Sequence, residues 1–143
     1  MTDTALRAAM IGCGPRAPAH PRTFRAIPRV RIVALYDKIA PRVKQIKSQC
    51  GDDSIREYTD HRKMLADGGF DAAVVVTEPE YQAGLSAEVM EAGYHAFSDV
   101  QVSFSLADCW KVVLAAERTG RTYYLGEQVL WLSVKPVRTS AAL

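Results

Sequence analysis

The sequence has little of what marks membrane, secreted or metal-dependent proteins. None of its apolar runs approaches the ~20 residues a bilayer span needs, so membrane insertion is not expected. The start, MTDTALRAAMIG, lacks a basic stretch followed by a long apolar segment and a cleavage site. No secretory signal is expected, and the cytoplasm is the expected compartment. There are only three cysteines, Cys13, Cys50 and Cys109, widely spaced and without a CxxC pair, which argues against a disulfide framework and a zinc site. His20, His61 and His95 are equally scattered, and no metal site is expected from them. The net charge is only +2 and the basic residues form no stripe, so nucleic acid is not an expected partner. Internal repeats and low-complexity linkers are absent too.

What is present is the composition of an ordinary globular protein, 48% hydrophobic and 24% charged over 143 residues. A chain of this length buries roughly two-thirds of its unfolded surface in one domain without staples. Short β-rich runs alternate with segments of helical spacing, the signature of an α/β fold with a mostly parallel sheet. The runs are residues 6–11, 30–36, 55–58, 71–76, 94–98 and 122–126, which predicts about six strands. DAAVVV is apolar at successive positions, as a central strand covered on both faces would be. The helices have legible ends. Thr59 or Asp60 caps HRKMLAD, Pro79 opens a helix that stops at Gly93, and Gly120 closes the helix SLADCWKVVLAAERT. In that last helix Ser105 and Asp108 approximate a capping box, and Leu106, Val113 and Leu114 supply apolar positions at helical spacing.

Between the first strand and the following helix stands GCGPRA: Gly12, Cys13, Gly14, Pro15, Arg16 and Ala17. This is the place where a GxGxx(G/A) loop holds a dinucleotide. Gly12 permits the tight turn, Gly14 lets the backbone approach a pyrophosphate, and Ala17 allows close packing of helix on strand. The helix N-terminus adds N–H donors and a positive dipole end. Pro15 and Pro21 lack donors while Pro18 suits a first helical position, so the helix is expected to start late or with a distorted turn. The alternative reading is a loop that only turns the chain. Asp37 follows the second strand near the spacing at which a carboxylate reaches the adenosine ribose, which favours NAD over NADP; neighbouring Lys38 and Arg42 could offset that preference.

Taken together, the glycine loop, VRIVALYD, YTDHRKMLADGGFDAAVVVTEPE, EAGYHAFSD and SLADCWKVVLAAERTG resemble the N-terminal domain of the Gfo/Idh/MocA oxidoreductases from about Leu6 to Glu127. The resemblance implies a Rossmann domain over residues 1–127 that binds NAD, with NADP as the alternative. It implies Thr77 and Pro79, after the fourth strand, as further cofactor contacts. Family members continue into a larger domain for a sugar or polyol. Residues 128–143 read as a tail, or as the truncated start of such a substrate domain.

Two positions depart from the family. A Glu-Lys-Pro triplet is aligned with Asp99, Val100 and Gln101, and valine can neither donate nor accept a proton. A frequent histidine is aligned with Gln82. Asp99 itself reads as a surface or capping carboxylate, and Glu78 as an acid complementing a helix dipole. The chain is therefore expected to be catalytically incomplete alone. A non-catalytic sensing or interaction module, with a partner or a second copy meeting Leu130, Trp131 and Leu132 of the tail, is one alternative. An S-adenosylmethionine-dependent methyltransferase is another, although its GxGxG would require glycine at Arg16.

Overall fold

The structure, a computed structural model, describes residues 5–126; the tail with Leu130, Trp131 and Leu132 lies outside the described residues. The apolar runs and capped segments alternate as β1 (Leu6–Ile11), α1 (Ala19–Arg25), β2 (Val30–Tyr36), α2 (Ala40–Cys50) and β3 (Arg56–Tyr58). They continue as α3 (His61–Asp67), β4 (Ala72–Val75), α4 (Pro79–Glu91), β5 (His95–Asp99), α5 (Leu106–Thr119) and β6 (Tyr123–Gly126).

Every strand pairing is parallel, in the order β3-β2-β1-β4-β5-β6. The chain steps outward from β1 to β3, then returns to the other side of β1. This reversal leaves a crevice between the C-terminal ends of β1 and β4, the place where Rossmann sheets take ligands. Ile11 is in register with both Tyr36 and Val75, so the three strands end level and their following loops meet.

Side-chain alternation divides the core. Ala9, Ile11, Ala73 and Val75 pack with Met64 of α3, Met90 of α4, and Val112 and Ala115 of α5. Met10, Leu35, Val74 and Val76 pack on the other face with Val43 and Ile46 of α2. Both faces of β4 are thus covered, the physical reason for its successive apolar residues.

The helix ends follow local chemistry, with one exception. Asp60 caps α3, accepting from the N–H groups of Arg62 and Lys63 at 2.9 and 3.3 Å. Pro79 opens α4 directly after Glu78. Before α1 the chain makes single turns, with Ala17 N–H donating to Gly14 O and His20 N–H to Ala17 O, so the helix starts late at Ala19. At α5 the expected capping box does not form. The Ser105 side chain caps nothing, and Asp108 instead accepts from Lys111 Nζ at 2.7 Å and Ser103 Oγ at 3.3 Å.

The apolar stripe expected of α5 also faces the other way. Leu106, Val113 and Leu114 are 75%, 41% and 51% exposed, while Val112 and Ala115 are buried. Small Ala115 lets α5 lie close to α4, and the larger residues one position away are turned outward.

Candidate functional site

The loops after β1, β2, β4 and β5 enclose a cleft of about 840 Å³, within the ~300–1,000 Å³ typical of ligand pockets. Gly12, Gly14, Pro15, Arg16, Asp37, Lys38, Thr77 and Pro79 all line it. Cys13 and Ala17 do not, because their side chains are buried in the core under α1 and α2. Burial, and then the nearby Asp37, push the Cys13 thiol up to about 12, so it is no nucleophile.

Gly12 has φ +101°, and a Cβ placed on it would lie 2.2 Å from Val76 O. Only glycine lets β1 turn so closely beside β4. Gly14 differs, because a Cβ there would meet no heavy atom within 4 Å, leaving open space over its backbone. Neither Gly14 N–H nor Arg16 N–H donates to another described residue. A bare glycine, unused N–H donors and an arginine beside them form a cradle suited to an anionic pyrophosphate.

Asp37 is only 6% exposed. Its Oδ2 accepts from Cys13 N–H and its Oδ1 from Ile39 N–H, both at 2.8 Å. The carboxylate therefore ties the glycine loop to the end of β2 while facing the cleft. Further along, Tyr36 packs its ring 5.4 Å from that of His61, whose Nε2 lies 2.8 Å from Glu88 Oε2. These three also line the cleft, the two rings inclined at 58° and each residue half-buried. No motif in the sequence marked them, because they come from β2, α3 and α4.

Under the other end lies an ionic cluster. Asp99 is 1% exposed, not the surface or capping carboxylate expected, because β5 ends inside the fold against the glycine loop. Arg16 Nε donates to its Oδ2 at 3.0 Å, and His20 Nε2 stands 3.5 Å from the same atom. Burial alone would raise the Asp99 pKa, but the adjacent His20 and the hydrogen bond and charge of Arg16 prevail and hold it at about 2.

Next to Asp99, Val100 has φ +59°, the one positive φ outside glycine among the described residues and a strained conformation for a β-branched side chain. It lines the cleft with Gln101. Gln82 is buried, donating through Nε2 to Thr77 O at 3.0 Å and accepting from Ser98 Oγ, so it braces the β4–α4 turn against β5. Glu78 is exposed on the rim, and its side chain makes no capping bond at α4.

The sequence model of the Gfo/Idh/MocA oxidoreductase family, NAD-binding Rossmann fold, matches residues 6–127. The chain belongs to this family. A glycosyl hydrolase family 109 protein of Shewanella putrefaciens is 30% identical over 136 residues, a match covering 87% of this chain and 28% of that protein. The α-N-acetylgalactosaminidase of Shewanella oneidensis is 26% identical over 131 residues, again covering 87% of this chain and 28% of that enzyme. An oxidoreductase from Agrobacterium radiobacter, crystallised with NAD+, L-tartaric acid and magnesium, superposes with a TM-score of 0.83 at 26% identity. That match covers 90% of this chain and 37% of the crystallised one. The chain thus spans about 28% of the length of the curated relatives it matches, the part that forms the NAD-binding Rossmann domain.

Proposed function

We propose that this chain is the cofactor-holding part of an NAD-dependent enzyme acting on a sugar derivative, with an amino-sugar glycoside as the substrate class. The observation that carries the reading is the cradle at Gly14, open where any side chain would intrude and edged by unused N–H donors. The substrate class rests on the names of the glycosidase relatives.

NAD, when bound, accepts a hydride from a substrate carbon. The chain's own part is to orient it. Gly14 and Arg16 take the pyrophosphate, Asp37 the adenosine ribose, and Tyr36 with His61 the adenine face. Thr77 and Pro79 border the nicotinamide end.

The same geometry supports catalytic incompleteness. Asp99 is ion-paired and held at about 2, Val100 is apolar and Gln101 is an amide, so the end of β5 offers no proton acceptor near neutral pH. We assign that task to chain beyond residue 127, in line with a domain boundary there. Phe104 before α5, and Leu106, Trp110 and Leu114 on it, are exposed apolar residues. None of the helices among the described residues is long and apolar enough to cross a membrane. A cytoplasmic placement is part of this reading, supported by cysteines too widely spaced in sequence for a disulfide framework. The strained Val100 and the engaged Asp99 also favour a second reading, a nucleotide-sensing module without chemistry.

The test is to titrate the chain with NAD+ and then assay it with a nitrophenyl N-acetylgalactosaminide. The proposal expects cofactor binding without nitrophenol release. Release by the chain alone would contradict incompleteness, and no binding would contradict the cofactor role.

A further inference from the structure

His20 is buried, 7% exposed, and its Nε2 has no hydrogen-bond partner. Asp99 Oδ2 stands 3.5 Å from that nitrogen, beyond the length of an N–H···O hydrogen bond. A buried polar atom without a partner is uncommon in a folded interior, and here it lies beside a buried charge. The same Oδ2 accepts from Arg16 Nε at 3.0 Å. The arginine side chain is 55% exposed and lines the cleft with Gly14. Arg16 therefore faces two ways, inward to Asp99 and outward to the open cradle. His20 follows it by four residues, through the turns that delay α1, and reaches the same carboxylate.

Among the described residues, the charged groups that meet His20 are Asp99 from β5 and, through that carboxylate, Arg16 from the glycine loop. Elsewhere α1 borders the apolar cluster of Ala17, Leu35 and Val43, with Phe24 packed against it. Cys13 and Cys50 belong to this region, and burial raises both thiols, so they stay uncharged near neutral pH. Asp37 is held by the Cys13 and Ile39 N–H groups, and Arg25 by the Gln49 and Cys50 carbonyls. Histidine is the side chain whose charge changes near neutral pH.

We infer that His20 is a positioning residue of the cradle: it takes up a proton when an anionic pyrophosphate engages Arg16, and the imidazolium replaces Arg16 on Asp99. The Arg16 Nε–H bond to Oδ2 breaks, and a solvent proton on His20 Nε2 forms the bond that replaces it. The guanidinium is then free to turn its donors to the phosphate oxygens. The buried carboxylate keeps a counter-charge throughout, which spares it the penalty of a lone buried ion. Release of the anion reverses the exchange and returns the proton to solvent. Since the bound state holds more protons than the free one, binding tightens as the pH falls from 8 to 6. The inference rests on the reading that the cleft holds a dinucleotide.

The test is calorimetric titration of the intact chain with NAD+, which has no group of its own titrating between pH 6 and 8. Titration at pH 7 in two buffers of different ionisation heat counts the protons taken up per NAD+ bound. The native protein should take up roughly half a proton, and its Kd should be about threefold or more lower at pH 6 than at pH 8. His20→Gln, with a melting curve to verify folding, should bind without uptake and with a Kd that does not follow pH. A second readout needs no variant: on addition of NAD+ at pH 7, the assigned imidazole resonances of native His20 should move to the charged form. Binding without proton uptake, uptake that persists in His20→Gln, or a charge gained by His61 instead of His20 overturns the exchange alone. Failure of NAD+ to bind at any of these pH values overturns the dinucleotide reading with it.

Discussion

Arg16 of the glycine loop is ion-paired to Asp99 at the end of β5, Nε to Oδ2 at 3.0 Å, although 83 residues separate them in the chain. The arginine side chain is 55% exposed and the aspartate side chain 2%. The pair fastens the loop after β1 to the far side of the cleft, with His20 beneath it.

This arrangement has a pH signature. The Asp99 carboxyl lies at about 2, below its ordinary 3.8, because the adjacent His20 and the hydrogen-bonded Arg16 outweigh the opposing effect of burial. A depressed folded-state pKa means stabilisation that is complete above pH 3.8 and fades as the pH falls towards 2. Asp99→Asn should cost on the order of 1–2 kcal/mol at pH 7, at the lower end because exposed Arg16 is screened by water. Melting curves at pH 7, 4 and 2.5 should show that deficit shrinking with acid. A deficit independent of pH would remove the ion pair from the account.

The two glycines of the loop should separate folding from binding. Gly12→Ala puts a methyl 2.2 Å from Val76 O at φ +101°, and should destabilise by more than about 2 kcal/mol. Gly14→Ala meets no neighbour within 4 Å and should stay within about 0.5 kcal/mol of the native protein. Urea denaturation compares them directly, and equal losses would contradict the geometry.

Val100 at φ +59° is strained where glycine would not be. Val100→Gly should leave stability unchanged or raise it by up to about 1 kcal/mol, against the usual cost of a new glycine. A loss above about 1 kcal/mol in denaturant titration would mean that its packing outweighs the strain.

On α5, Val112→Ala should cost about 2 kcal/mol, because the side chain is 4% exposed between α4 and the sheet. Leu114→Ala, at 51% exposure, should change the stability of this chain by less than about 0.5 kcal/mol. The reverse ranking in thermal melts would restore the outward stripe to the core.

Much of this was legible in the sequence. All six strands lie on the β-rich runs between turn residues, and GCGPRA after β1 marked the crevice. The α5 orientation was not legible, since two apolar stripes share that helix and spacing alone does not say which one meets the sheet. The Arg16–His20–Asp99 cluster was hidden for another reason. It depends on how the prolines delay α1, which turns His20 inward beside a strand end that is remote in sequence. Tyr36, His61 and Glu88 likewise meet only once β2, α3 and α4 are packed.

The central claim is that the loop after β1 holds a dinucleotide pyrophosphate. Calorimetric titration of NAD+ into the native chain and into Gly14→Asp tests it most directly. The account predicts saturable binding to the native protein and its loss in a variant that melts at the native temperature, because the new carboxylate occupies the open space over Gly14. Undiminished binding by that variant, or no binding by the native chain, would contradict it.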